Sequence, residues 1–372
     1  MRAAGDGGSV LLVAHTRLSL EYVLDHYRLL RDDGGLRFWL TRAPDEYAAG
    51  VEQMMDAAGL PRLPYCAAVR RAWDLALFGT HGSEVFFTRA ATRIHIQHGL
   101  GAGKLVAGQD FTYGPKWALW EGTPKYDAML EASYAVRRYA VAACPPLAGR
   151  IRVTGDLRAD RLLAADRDRL AHRAALGIGP GELAVLVVST FGPHGLLATC
   201  GLGLVDELLA WPGARALLTV HPHLWTGRHD RRAGLGAVLA PRAARGLLVC
   251  GPGQDWAPFL AAADVAVIDH SSLGLYFALL ARPTVAVPVP AGAVNPVAPV
   301  ALLRALSPAV AGPGRLAAAI EASAGRFDPA AFAAFRRGLA AYPGQAAGRT
   351  RSVLYELLGR EAPAAHSLRG AA

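Results

Sequence analysis

The stretch SVLLVAHTRLSLEYVLDHYRLLRDDGGLRFWL, residues 9–40, decides the fold. Residues 9–14 form a short apolar run rich in Val and Leu, and Leu20, Val23, Leu24, Tyr27 and Leu30 then recur at helical spacing. The first pattern reads as a buried strand and the second as an amphipathic helix. Gly34-Gly35 ends the helix, and residues 36–40 read as a second strand. Strand, helix and strand in this order predict a parallel sheet covered by helices, because parallel neighbours need a crossover between them.

Working outward, the same alternation continues. A helix is expected over 45–58 and strands over 83–88 and 92–97, the latter ending at His98-Gly99. A strand at 150–153 closes on Gly155-Asp156, and a charge-rich helix follows through Ala175. The turn GIGPGE at 177–182 carries several breakers and makes the best domain boundary. Strands then recur at 183–189, 216–220, 246–250, 265–268 and 284–287, with helices at 202–211, 256–263 and 273–281. The expected organisation is a first Rossmann-like domain at 1–165, a linker at 166–182, a second domain at 183–340, and a C-terminal helix with a loose tail at 341–372. A chain of 372 residues suits two such α/β units. Two open sheets facing a cleft would hold ligands at the carboxyl ends of their strands.

Composition bounds the function classes. The chain is 52% hydrophobic and 19% charged, which provides a core and argues against disorder. A net charge of +9 favours anionic substrates or an anionic membrane surface, although the Ala, Gly and Arg usage accounts for much of it. No Lys/Arg run is interleaved with aromatics, so nucleic acid is not expected as a partner. Cys66, Cys144, Cys200 and Cys250 form no CxxC pair and read as buried thiols in a reducing cytoplasm. The apolar run near the N-terminus is too short for a signal-peptide core, and no spanning segment is read. Lys104, Lys116 and Lys125 are the only lysines and stand close in sequence.

Several constellations sit directly after strands. Ile268-Asp269-His270-Ser271-Ser272-Leu273-Gly274 joins an apolar strand to an apolar helix. Its serines suit a phosphate at a helix N-terminus and equally suit an ordinary N-cap. In Thr219-Val220-His221-Pro222-His223 an imidazole leaves a strand end, and Pro222 stops the strand. His221 and His223 would point oppositely, and no carboxylate or Cys stands nearby at ligand spacing, so no metal site is expected. In Gln97-His98-Gly99-Leu100-Gly101-Ala102-Gly103-Lys104, glycines allow close backbone approach beside an imidazole that can act as a base. Its spacing is not that of a P-loop, and no GxSxG elbow occurs in the chain.

Taken in order, these motifs resemble the CDP-glycerol glycerophosphotransferase family, which primes and polymerises the glycerol phosphate chains of wall teichoic acids. The matching residues are His98-Gly99 with Lys104, Gly155-Asp156-Leu157-Arg158-Ala159-Asp160, Ser189-Thr190, His221-Pro222, and Asp269-His270-Ser271-Ser272 with Arg282-Pro283. The resemblance implies a GT-B fold and a donor activated by a nucleotide, with a CDP-linked polyol favoured. It implies that His98 deprotonates an acceptor hydroxyl, free or lipid-linked, and that His221 with Ser271 and Ser272 holds the donor pyrophosphate. Gly99, Lys104, Arg158, Thr190 and Asp269 are carried over as substrate-binding positions. The implied reaction is in-line attack on the donor's β-phosphorus with a nucleoside monophosphate leaving, without cofactor or metal. The implied location is cytoplasmic, at the inner face of the plasma membrane, with peripheral membrane contact left open. The chain departs from the family at Tyr276, where an acidic residue is usual. It departs again at Pro288-Val289-Pro290-Ala291-Gly292, and at Phe191-Gly192, where an Arg is missing. A nucleotide-sugar glycosyltransferase and a non-catalytic binding module on the same fold are the alternatives.

Overall fold

The structure is a computed structural model, and it describes residues 7–82, 84–101, 103–226, 234–310, 312 and 314–363. Two parallel sheets form its frame. The first contains β1 (Gly8–Ala14), β2 (Leu36–Arg42), β3 (Trp73–Phe78), β4 (Ala90–Ile96), β5 (Ala128–Glu131) and β6 (Ile151–Val153), in the order β6-β5-β4-β3-β1-β2. The second contains β7 (Leu183–Ser189), β8 (Ala214–Val220), β9 (Leu248–Cys250), β10 (Val265–Ile268) and β11 (Thr284–Ala286), in the order β9-β8-β7-β10-β11. All pairings within both sheets are parallel.

The strand order reverses beside β1 in the first sheet and beside β7 in the second. At such a reversal the crossovers leave to opposite faces and open a crevice at the carboxyl ends. Helix α1 (Arg17–Tyr27) starts at the first crevice under a capping box, in which Thr16 Oγ1 accepts from Ser19 N and Ser19 Oγ accepts from Thr16 N. Gly79, just past β3, is needed here because a Cβ on it would stand 2.4 Å from Ser19 O.

Two strands escape the sequence reading, β3 and β5. The Arg-rich approach to Trp73 hides the alternation in Trp73-Asp74-Leu75-Ala76-Leu77-Phe78. The strand expected at 83–88 is instead a short helix, Glu84–Phe87, and Ser83 lies outside the described residues. A run of only three apolar residues, Val85-Phe86-Phe87, carries no period of its own, so its surroundings choose between the two forms.

Residues 166–182, expected as a linker, contain the end of α2 (Leu157–Arg167) and all of α3 (Arg169–Ala175). Arg173 holds this segment to the second domain through Asp264 (2.9 Å) and the Ala262 carbonyl (3.0 Å). The last helix, α4 (Ala346–Leu358), returns to the first domain. Leu354 and Tyr355 bury with the β1 and β2 core, and Tyr355 Oη donates to Asp33 at 2.8 Å. The tail from 364 lies outside the described residues. All four cysteines are free. Cys144 and Cys250 are buried and Cys200 is half-buried, but Cys66 is exposed, contrary to expectation, because its short helix lies on the surface.

Candidate active site

The two sheets face each other across a cavity of about 260 Å³. Six of the residues singled out from the sequence line it: His98, Arg158, Thr190, His221, Ser271 and Ser272. Each leaves the carboxyl end of a strand, or follows it by a few residues. The convergence therefore comes from parallel sheets presenting the same ends to one space.

His98 is half-buried just past β4, and its Nδ1 lies 2.9 Å from the Gly79 carbonyl. A carbonyl only accepts, so Nδ1 carries the proton and Nε2 is left as the acceptor. Burial lowers the His98 pKa, Arg158 and His15 lower it further, and the Gly79 bond opposes them. The ring is therefore neutral near pH 7, the form a general base requires.

His221 carries the opposite polarity. Its Nδ1 accepts the backbone N–H of His223 at 3.2 Å, so the proton sits on Nε2 and that nitrogen donates. Phe191 packs against the ring at 4.5 Å, and Tyr47 of the first domain stacks on His223 at 4.4 Å.

At the turn after β10, Asp269 is fully buried. One carboxylate oxygen accepts from Thr190 N (2.7 Å) and Leu196 N (2.9 Å), and the other accepts from Ser271 N (2.7 Å). Asp269 thus shapes the loops after β7 and β10 and does not line the cavity. Ser271 lies at the N-cap of the helix Ser272–Ala278 but makes no side-chain cap bond, and its buried Oγ has no partner among the described residues. Between the two roles left open for this serine, the cap is not the one it performs. The residue itself lines the cavity.

The remaining positions are placed as follows. Arg158 is buried, bonded to Asp25 (2.9 Å) and Glu21 (3.2 Å), with its guanidinium 3.7 Å from the centre of the Tyr22 ring. Its charge is spent within the first domain and braces α1 under the cavity. Gly99 packs against the other domain, where a Cβ would stand 2.8 Å from Ser272 Cβ. Lys104 lies outside the cavity wall with its ammonium 4.2 Å above the Phe191 ring, and burial lowers its pKa while Asp269 raises it. The loop continues into the other domain through Asn295 N donating to Gly103 O at 2.9 Å. Lys116 is exposed near Trp117 and Lys125 is buried, so the lysines close in sequence go to different surroundings.

The sequence reading missed several lining residues, including Arg17, Tyr22, Trp225, Gln254 and Trp256. Arg17 could have been found, since it follows β1 as His98 follows β4. The loop 251–255 gives a weaker signal, because its glycines and proline read as an ordinary turn. Tyr276, which replaces the acidic residue usual in the resembling family, donates to Asp156 at 3.0 Å and lies 3.1 Å from Tyr22 Oη. It thereby joins the helix after Ser271 to α1 and α2 of the first domain.

No family model and no curated protein matches the chain. Solved structures do resemble it in fold. They include the wall teichoic acid polymerase TagF, at 12% identity and a TM-score of 0.63 over 95% of this chain and 89% of that one. The UDP-GlcNAc 2-epimerase of Neisseria meningitidis bound to UDP-GlcNAc matches at 11% identity and a TM-score of 0.58, over 94% of this chain and 99% of that one. S. aureus MnaA with UDP matches at 11% identity and a TM-score of 0.58, over 94% and 97%. At these identities the likeness is one of architecture, and with the two facing Rossmann-like sheets it makes this chain a GT-B protein.

Proposed function

We propose that the protein is a transferase that moves a glycerophosphate-like group from a CDP-activated donor to an acceptor hydroxyl, in the manner of teichoic-acid-type polymer synthesis. The observation that carries this reading is the opposite polarity of two imidazoles lining one cavity: an accepting Nε2 on His98 and a donating Nε2 on His221. His98 takes the acceptor's proton as its oxygen bonds to the donor's β-phosphorus. The bond from that phosphorus to the bridging oxygen breaks, and CMP leaves. His221 and the hydroxyls of Ser271, Ser272 and Thr190 donate to the phosphate oxygens, where negative charge develops on the leaving group. The similar fold of TagF, one structure of which was soaked with CDPG, supports a nucleotide-linked donor. The reading carries with it a cytoplasmic location, at the inner face of the plasma membrane when the acceptor is lipid-linked.

A second reading, a nucleotide-sugar enzyme with attack at a sugar carbon, is favoured by the fold neighbours that hold UDP-GlcNAc and UDP. Thermal shift with CDP-glycerol, CDP, UDP-sugars and GDP-sugars separates the two, because a ligand bound only to the folded state raises the melting temperature. Stabilisation by cytidine ligands and release of CMP from CDP-glycerol are expected. Stabilisation by UDP- or GDP-sugars alone would replace the first reading with the second.

A further inference from the structure

The cleft holds a guanidinium that the proposed chemistry leaves unused. Arg17 is the first residue of α1, so the capping box that fixes Thr16 also fixes where the Arg17 side chain leaves the backbone. From there the side chain runs between the two domains. A Cβ on Gly50, just before the helix Val51–Ala58, would stand 3.0 Å from Arg17 Cδ and 3.1 Å from Nη1. A Cβ on Gly253, in the loop after β9, would stand 3.5 Å from Nη2. The two glycines therefore make a slot that the arginine fills.

Packing holds this charge, yet nothing neutralises it. Among the described residues, none accepts a hydrogen bond from Arg17 or pairs with it. The carboxylates nearby are taken elsewhere: Glu21 by Arg158 at 3.2 Å, Asp25 by Arg158 and Arg28, and Asp255 by Arg161 at 3.5 Å. Arg17 is half-buried and lines both the cleft and a more open cavity of about 470 Å³, which shares Gly50, Gly253 and Gln254 with it. Solvent reaches the guanidinium from that side, so an unpaired charge is tolerable there.

The opposite wall has the complementary need. Thr190, Ser271 and Ser272 bring hydroxyls and His221 a donating Nε2, and in that tautomer none of them carries a formal charge. Phe191 and Gly192, directly after Thr190, add none. Among the described residues no lysine lines the cleft, and Arg158 is spent on Asp25 and Glu21. A nucleoside diphosphate ester carries a negative charge on each phosphorus, and these neutral donors leave that charge uncompensated.

We propose that Arg17 is a catalytic residue contributed by the first domain, which binds the donor's diphosphate across the cleft from His221 and the hydroxyls. Its planar fork offers two N–H groups to two phosphate oxygens at once. As the acceptor oxygen bonds to the β-phosphorus and gives its proton to His98, the bond to the bridging oxygen breaks. The electron pair stays on that oxygen, and the Arg17 charge stands where it accumulates. The second domain thus supplies neutral donors and the first supplies the cation.

The inference rests on the nucleotide-donor reading but not on the cytidine or the glycerol. The test is calorimetric titration of the full chain with CDP, UDP and inorganic pyrophosphate, joined to CMP release from CDP-glycerol. Arg17→Gln should bind the diphosphates about a hundredfold more weakly than the wild type. Arg17→Lys should bind them about tenfold more weakly, because an ammonium keeps the charge and loses the fork. Affinity should fall with added salt more steeply in the wild type than in Arg17→Gln. Arg17 bonds no described residue, so both variants should keep the wild-type melting temperature, and Arg17→Lys carries the test if the other fails to fold. Wild-type affinity in either folded variant, a loss confined to the acceptor's KM, or no diphosphate binding by the wild type would each overturn the proposal. Arg17-dependent binding of UDP or pyrophosphate with CDP-glycerol inert would remove the donor reading and leave this inference standing. Undiminished CMP release by Arg17→Gln would do the reverse.

Discussion

The two walls of the cleft reach their geometry by different routes. On the second-domain wall, the loop after β7 and the turn after β10 are organised by one neighbouring carboxylate, Asp269, which gathers three backbone N–H groups and leaves Ser271 Oγ unspent. On the first-domain wall, His98 takes its tautomer from the carbonyl of Gly79, well upstream in the chain. Its glycine loop is held by the other domain, through Ser272 and Asn295. The second wall is tied together within its own domain, although Asp269 stands 79 and 73 residues from the Thr190 and Leu196 N–H groups it gathers. The first wall depends also on the other domain, because its glycine loop packs against Ser272 and bonds Asn295.

The largest effect expected from breaking this contrast is at the base. His98→Ala should lower kcat by about a thousandfold, within the range for loss of a general base, while nucleotide binding by thermal shift persists. Full turnover in that variant would remove His98 from the chemistry.

Asp269→Asn tests the second wall. An amide offers one acceptor where the carboxylate offered two, and its NH₂ must face a backbone N–H. We expect about 3 kcal/mol lower stability by chemical denaturation, together with loss of nucleotide binding. A variant with wild-type stability would show that the wall does not rest on this carboxylate.

Gly99→Ala tests the dependence of the first wall on the second. A Cβ at a φ of 101° would meet Ser272 Cβ at 2.8 Å, and both strain and crowding follow. A cost of about 2 kcal/mol is expected, with a rise in KM for the donor because Ser272 moves. Unchanged kinetics would mean that the two walls are not coupled through this contact.

The smallest change is with pH. Behind the first wall, His81 and His95 stack at 4.3 Å, His95 fully buried and His81 half-buried. Burial lowers both pKa values, that of His81 to about 3. Since the folded values lie below the unfolded value of 6.5, the unfolded chain takes up protons first as the pH falls. The stability held by these neutral rings is full above about pH 6.5 and is lost progressively below it. Melting temperature against pH should fall through this window in the wild type, and less steeply in His95→Phe. An identical slope in the two would assign the acid loss to other groups.

Much of the second wall was legible because its groups follow apolar strands directly. Thr190, His221 and Ser271 all announce themselves at strand ends, and parallel sheets bring such ends together. Asp269 was legible as a residue but not in its role, because nothing local reveals that its oxygens are consumed by N–H groups from two loops. On the first wall His98 was equally visible, and Arg17 stands at a strand end in the same way, whereas Tyr22 was not visible. The importance of Tyr22 comes from packing against Arg158, more than a hundred residues downstream, and from its contact with Tyr276 in the other domain.

The sequence by itself determined the alternation of strand and helix, and hence two parallel sheets with chemistry at their carboxyl ends. Those features follow from local periodicity and strand-end residues, which act over a few positions. Only the tertiary structure decided which nitrogen of each histidine carries the proton, and that the last helix returns to the first domain. Each of these depends on partners far apart in the chain, whose contact is a property of the packed fold and not of any segment within it.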